Sequence, residues 1–356
     1  MKNLFKDIPH VQFEGKNGTN PLSYRFYNAS QVILGKTMEE HLRIAVCFWH
    51  TLFERAWHYI TDPMQLAETR IHAAFEFIEK LGLKYFTFFD DDITPEGKTW
   101  HETRQNLQSV SEKIAAEMQR TNIKLLWGAA NTFNHAQSNP EVFAYAVLKI
   151  KQAMDITHQL NGANYLVWVG HEGYDQLARF FQMLIDYKYK IGYKGMLLIQ
   201  PKPYIQATQP YDFDMAMLFA FLQKYGMEKE FKVNLEAIPS IMRTHEVVYA
   251  YTNHIFGGMD INQMYLQQKP DSSDDNIARL IYIILKNGGM MSGGFNVDTQ
   301  LNGQSLDLID LYYTYIHSVD MLARGLLMAN DLMTSGEIEK YIDQPSRFDQ
   351  RQPLNN

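Results

Sequence analysis

Eight short apolar runs punctuate this chain, and four of them end on a residue able to bind a divalent cation: MLLIQ at Gln200, KVNLE at Glu236, FGGMD at Asp260 and GGFNVD at Asp298. The runs cover residues 44–48, 85–89, 123–127, 164–169, 196–200, 232–236, 256–260 and 294–298. Between them lie amphipathic stretches with helical spacing. In MQLAETRIHAAFEFIEKLG, for example, Leu66, Ile71, Ala74, Phe75 and Ile78 fall on one stripe before Gly82. Strand then helix, at intervals of roughly 24 to 42 residues, reads as repeated βα units. Eight such units, with strands reading as apolar on both faces, predict an α/β fold closed into a TIM (β/α)8 barrel rather than an open doubly wound sheet. No glycine-rich phosphate fingerprint follows the first strand, which argues against dinucleotide binding. The expected organisation is a barrel with a short N-terminal extension over 1–325, followed over 326–356 by a truncated C-terminal helix and a polar tail. Barrel enzymes build their active sites at the C-terminal strand ends, so acids at those ends form one candidate site.

At 356 residues and 46% hydrophobic content the chain can bury one large core. No apolar run reaches the roughly 18 residues of a membrane helix, and the opening MKNLFKDIPH lacks the basic-then-apolar layout of a secretion signal. A cytoplasmic protein is the expectation. Cys47 is the only cysteine, which removes an intrachain disulfide and a cysteine-rich zinc site and leaves oxygen and imidazole ligands. The net charge is −7 and the basic residues are scattered, so nucleic acid is not an expected partner. Aromatic content of 13%, recurring near strand ends, suits a pocket for a small polar ligand with apolar faces, although core packing accounts for most of it equally well.

Seven motifs then follow in order: FFDDDITPEG (88–97), LWGAAN (126–131), VWVGHEGY (167–174), LLIQPKP (197–203), KVNLEA (232–237), MDIN (259–262) and GGFNVD (293–298). With NPLSYRFYN, GKTMEEHLR and NPEVFAYA, they make the chain resemble xylose isomerase over about residues 13–325. The resemblance implies a TIM barrel in which divalent cations hold a sugar's oxygens while a hydride moves between C1 and C2. At the first metal site Glu236, Asp260 and Asp298 match the family, whereas the Glu of its LLIEPKP pattern is Gln200 here. An amide oxygen still binds a hard cation, with one negative charge fewer. At the second site the family's EANH reads EAIP, which puts Pro239 at a His ligand's place. PDSSDD replaces WDTD, so that Asp271 matches one acid and Ser273 stands for the other, with Asp274 or Asp275 reachable by a shifted loop. The implied cofactor is one divalent cation (Mg, Mn or Co) at a weakened first site, with no tightly held second metal.

Sugar handling is altered by the same comparison. The family's FHDRD or FHDDD is FFDDD here, so its proton-handling His is Phe89, while the partner acid Asp92 matches. A family Thr is Ala129 and the Arg of GREGY is His171, while Lys202, Trp127 and Trp168 match. Lys202 and Asp92 are the catalytic candidates, with Trp127, Trp168 and His50 as pocket candidates. Plainer roles stand beside these. The acids could cap helices or pair with bases, and Lys202 could supply the charge of a missing cation. Asp271, Asp274 and Asp275 suit a helix N-terminus. Phe89 reads first as a pocket wall, His171 as a loop residue, and His50 equally as structural or pocket-lining. Shortened loops and an early chain end point away from the family's tetramer, towards a monomer or a smaller, weaker homo-oligomer. Three readings follow: an impaired relative keeping a remodelled pocket for a sugar or polyol, an active single-metal isomerase or epimerase, and a non-catalytic partner subunit of an intact isomerase.

Overall fold

The computed structural model describes residues 5–48, 59–131, 140–168, 174–201, 215–237, 242–262, 270–299 and 308–336. Its centre is a closed barrel of eight parallel strands. In chain order these are β1 (Ala45–Cys47), β2 (Tyr85–Phe89), β3 (Lys124–Ala129), β4 (Asn164–Val167), β5 (Met196–Ile199), β6 (Phe231–Ala237), β7 (Phe256–Asn262) and β8 (Phe295–Asp298). Each pairs with its neighbour in sequence, and β8 closes onto β1 through Asn296 opposite Ala45 and Val297 opposite Val46. The helices α1 (Pro63–Leu81), α2 (Trp100–Thr121), α3 (Pro140–Gln159), α4 (Tyr174–Ile191), α5 (Met215–Lys224), α6 (Met242–Thr252), α7 (Pro270–Lys286) and α8 (Leu308–Ser335) alternate with the strands. The TIM barrel expected from the periodicity is the fold of the protein. No helix among the described residues is long and apolar enough to cross a membrane.

Local signals explain where elements start and stop. Asp62 caps α1 by accepting the Gln65 N–H at 2.7 Å, and Pro63 supplies a first-turn φ without wasting a donor. Gly82 ends the helix at φ 69°, a left-handed position that glycine occupies without Cβ strain. The stripe Ile71, Ala74, Phe75 and Ile78 is buried against the barrel, as the spacing predicts. Thr99 caps α2 in the same way, through the Glu102 N–H at 3.2 Å.

The strands depart from the expectation in one respect: only their outer faces are uniformly apolar. Phe86, Phe88, Leu235, Met259, Ile261, Phe295 and Val297 point out to the helices and join the main core. The inner cluster is separate and consists of Ala45, Phe89, Leu126, Trp127, Ala129, Leu166 and Leu198, with the consecutive Leu126 and Trp127 both included where the β2–β3 register shifts by one residue. Polar side chains share that inner space. Thr87 Oγ1 donates across to Asn296 Oδ1 at 2.7 Å, from β2 to β8. Asn164 Nδ2 donates to the carbonyls of Leu126 at 3.0 Å and Ser292 at 2.9 Å. Near the N-terminal strand ends, Arg43 Nε donates to the Gly293 carbonyl at 2.6 Å while its guanidinium lies 4.7 Å from the Tyr85 ring centre.

The N-terminal extension forms a short parallel pair, Gln12–Phe13 with Ser23–Tyr24, and a hairpin of Val32–Ile33 with Lys36–Thr37. It is anchored at two places. Tyr24 Oη donates to the Leu81 carbonyl at the end of α1, at 2.8 Å. The Asp320 carboxylate on α8 accepts three successive backbone N–H groups, from Arg25, Phe26 and Tyr27, at 2.7, 2.9 and 2.8 Å.

Candidate active site

Period-two alternation decides which side chains reach the barrel mouth. On β2, Thr87 and Phe89 face in and Phe86 and Phe88 face out. Phe89 ends its strand and begins a single helical turn, Asp90–Ile93. Within that turn Asp92 folds back, and its Oδ2 accepts the backbone N–H of Phe89 at 3.1 Å. The Phe89 ring is 3% exposed, with its centre 4.7 Å from that of Trp168 and 5.5 Å from that of Trp127. Trp168 Nε1 donates to Gln200 Oε1 at 2.9 Å. Phe89, Trp127, Trp168 and Gln200 therefore make one continuous wall.

The acids make the opposite wall. Glu236 stands in register with Asp260, Asp260 with Asn296, and Asn262 with Asp298. Burial pushes the Asp260 carboxyl up to about 7, and the negative charges of Asp298 and Glu236 push in the same direction, while the neighbouring Asn234 and Asn296 side chains pull it back. Asp260 Oδ1 is fully buried and, among the described residues, has no hydrogen-bond partner. Asp92 is also held well above the usual carboxylate range, first by burial and then by Asp90, Asp91 and Asp298, against the pull of the Phe89 N–H. Asp298 thus acts on both Asp92 and Asp260, which places the expected partner acid and the expected metal ligands in one electrostatic field. Among the described residues, no three His, Cys, Asp or Glu side chains are grouped as a ready cation cage.

A further ionic group lies behind the wall. Lys149 on α3, with its side chain 7% exposed, places Nζ 2.6 Å from Asp91 Oδ1, 3.4 Å from Asp90 Oδ2 and 3.3 Å from the Asn131 carbonyl. Asp90 Oδ1 accepts the Asn131 N–H at 2.8 Å. One lysine thereby ties the turn after β2 to the segment after β3. Burial pulls its ammonium down, but Asp90 and Asp91 outweigh that and leave it above its ordinary value. Sequence reasoning missed Lys149. The available signal was its place on the buried face of α3, among Ala146, Ile150 and Ala153 at helical spacing.

Of the sequence-derived candidates, His50, His171, Lys202 and Pro239 lie outside the described residues, as do the side chains of Asp271, Ser273, Asp274 and Asp275. Phe89, Trp127, Trp168, Gln200, Glu236, Asp260 and Asp298 lie in the C-terminal halves of their strands or directly after them, with Asp92 in the turn that follows β2. Ala129, buried beside Phe89 in the register of β2 and β3, contributes no polar atom.

This fold and the site's position define a class. The 3-keto-D-glucoside 4-epimerase of E. coli superposes with a TM-score of 0.56 at 10% identity, covering 78% of this chain and 98% of that one. An L-ribulose 3-epimerase superposes with a TM-score of 0.52 at 12% identity, over 87% and 99% of the two chains. At such identities the likeness shows a shared barrel fold and nothing finer. No family model matches the chain. Full-length relatives are far more similar. A xylose isomerase of Pseudomonas syringae is 40% identical over 381 residues, spanning 96% of this chain and 87% of that protein. One of Paraburkholderia phytofirmans is 38% identical over 390 residues, spanning 97% and 89%. The chain belongs to the xylose isomerase family.

Proposed function

We propose that the protein is a sugar-binding member of this family in which aldose–ketose isomerisation is impaired. The observation that carries the reading is the phenyl ring of Phe89, buried between two tryptophans at the place where the sequence resemblance puts a proton-handling histidine. A phenyl ring moves no proton, and the adjacent Asp92 carboxyl is engaged by the Phe89 backbone rather than by an imidazole. Loss of a positioned acid–base group costs about 10² to 10⁴ in rate. The aromatic wall and the facing acids still suit a small sugar or polyol, with its C–H face on the half-buried Trp168 and its hydroxyls towards Glu236, Asp260 and Asp298. A coupled assay with xylose, glucose and related aldoses, supplied with Mg²⁺, Mn²⁺ or Co²⁺, tests this. Turnover equal to that of an intact relative overturns it.

A second reading, an active isomerase or epimerase using one metal, has its own support in the unpartnered Asp260 Oδ1. A buried carboxylate oxygen with no donor among the described residues, pressed by two further acids, suits a cation. Gln200, Glu236, Asp260 and Asp298 would hold the ion, which when bound would polarise the sugar's carbonyl and hydroxyl oxygens as a Lewis acid. Stoichiometric metal in the purified protein, together with measurable turnover, selects this reading over the first.

A further inference from the structure

One layer beneath the barrel mouth, inward side chains of β2 and β8 are joined across β1. Thr87 lies on the same face of β2 as Phe89, and Asn296 on the same face of β8 as Asp298, because each pair is two residues apart on its strand. Thr87 Oγ1 donates to Asn296 Oδ1 at 2.7 Å, and both residues are fully buried. The strand between them places Ala45 opposite Asn296, a side chain short enough for the bond to pass over β1.

That bond decides which way the Asn296 amide faces. An amide has an accepting end and a donating end, and the hydroxyl hydrogen can be taken only by the oxygen. With Oδ1 turned to Thr87 on one side, the amide nitrogen is left for the other side, where β7 pairs with β8. There Asp260 stands in register with Asn296. Met259 and Ile261 on either side of it face out to the helices, so Asp260 faces in beside the amide. The amide acts on it as a hydrogen-bond donor that favours the ionised carboxylate. Asp260 Oδ1 remains without a partner among the described residues. A hydroxyl thus sets an amide, and the amide sets a carboxylate.

We propose, on the basis of the single-metal reading, that Thr87 and Asn296 are positioning residues for Asp260, fixing the rotation of its carboxylate so that Oδ1 is presented to a divalent cation. Neither residue touches the ion. Without the hydroxyl, Asn296 Oδ1 becomes a buried acceptor that has lost its donor, and turning the amide to relieve this sets its oxygen against the carboxylate. Either way Asp260 loses a fixed donor. Loss of such an outer partner weakens metal binding about 10- to 100-fold.

The test is isothermal titration of the metal-free full chain with Mn²⁺, read together with the electron paramagnetic resonance spectrum of the bound ion and circular dichroism of each variant. The parent is expected to bind one Mn²⁺ per chain. Thr87→Val, nearly the same shape without the hydroxyl, should weaken that binding about tenfold and alter the Mn²⁺ spectrum, whereas Thr87→Ser, which keeps the hydroxyl, should stay within about twofold of the parent. Thr87→Ala carries the expectation of Thr87→Val if the valine variant does not fold. Thr157→Val removes another fully buried hydroxyl, one bonded to the Ala153 carbonyl within α3, and should leave Mn²⁺ affinity and spectrum unchanged. In Asp260→Asn, which itself binds Mn²⁺ more weakly, adding Thr87→Val should cost nothing further, because the hydroxyl acts only through that carboxylate. Saturable Mn²⁺ binding that is equally tight in the parent, T87V and T87A overturns the positioning role and leaves the single-metal reading standing. So does a loss of affinity shared by T87S or by T157V, or one that persists undiminished in the Asp260→Asn background. A parent that takes up no Mn²⁺ overturns the single-metal reading, and the positioning role with it.

Discussion

The Asp92 carboxylate accepts the backbone N–H of Phe89 at 3.1 Å, so the acid at the end of the FFDDD turn is satisfied by the very residue whose side chain cannot use it. A histidine at this position would put two ring nitrogens where the phenyl ring now packs on Trp127 and Trp168. Phe89→His is expected to raise aldose isomerisation by at least tenfold in the presence of Mg²⁺ or Mn²⁺, up to the roughly 10² to 10⁴ that a placed acid–base group supplies. Steady-state rates of xylose conversion check it, and an unchanged rate would show that another lost group limits the reaction.

Asp260 makes stability depend on pH with a definite sign. Its folded value of about 7 lies above the ordinary 3.8, so between those values the folded state holds a proton that the unfolded chain has released. That contribution is fully present below about pH 4 and is lost as pH rises through about 7, with a cost approaching about 4 kcal/mol above that range. Thermal melts from pH 5 to pH 8 should show Asp260→Asn gaining stability relative to the parent as pH rises.

The same carboxylate predicts a metal effect. Millimolar Mn²⁺ should raise the melting temperature more at pH 8, where Asp260 is ionised, than at pH 5, where protons compete for it. Chelation should reverse the gain, and Asp260→Asn should reduce it. Equal shifts at both pH values would place the ion elsewhere.

Lys149→Met removes the cation that, among the described residues, pairs with both Asp90 and Asp91. Burial pushes the Asp90 carboxyl up, with Asp91 adding to the effect, so an uncompensated Asp90 can take up a proton at low pH. The loss should be about 3 kcal/mol at pH 8, in line with breaking one side of a buried pair, and smaller at pH 5. Denaturant unfolding at the two pH values measures the difference.

Gly325 sits where α8 crosses α7. A Cβ there would lie 2.2 Å from Ile277 Cγ2. Alanine normally gains up to about 1 kcal/mol over glycine inside a helix, but overpacking costs about 1 to 3 kcal/mol. Gly325→Ala is therefore expected to lower the melting temperature, and Ile277→Ala combined with it should recover part of the overlap penalty.

The sequence was enough to locate all eight strands, because each is a short apolar run and each pairs with a neighbour that has the same signal. It also located the ends that matter: Gln200, Glu236, Asp260 and Asp298 sit where an apolar run stops. Caps such as Asp62 and Gly82 were legible because they act within a few residues of themselves. The inner face of the barrel was not legible. A polar residue inside a strand reads as a flaw in the pattern until Thr87 is seen to meet Asn296, 209 residues away. Lys149 likewise reads as a break in an apolar stripe until its two aspartates arrive from another loop. Asp320 reads as a solvated helix acid until the chain returns three N–H groups to it from nearly 300 residues earlier. Local periodicity and capping are short-range effects, so the sequence carries them directly. The field that raises Asp92 and Asp260, the seating of Phe89 between its tryptophans and the anchoring of the N-terminal extension on Asp320 are long-range effects, and they exist only once the barrel has closed and brought distant groups within a few ångströms out of water.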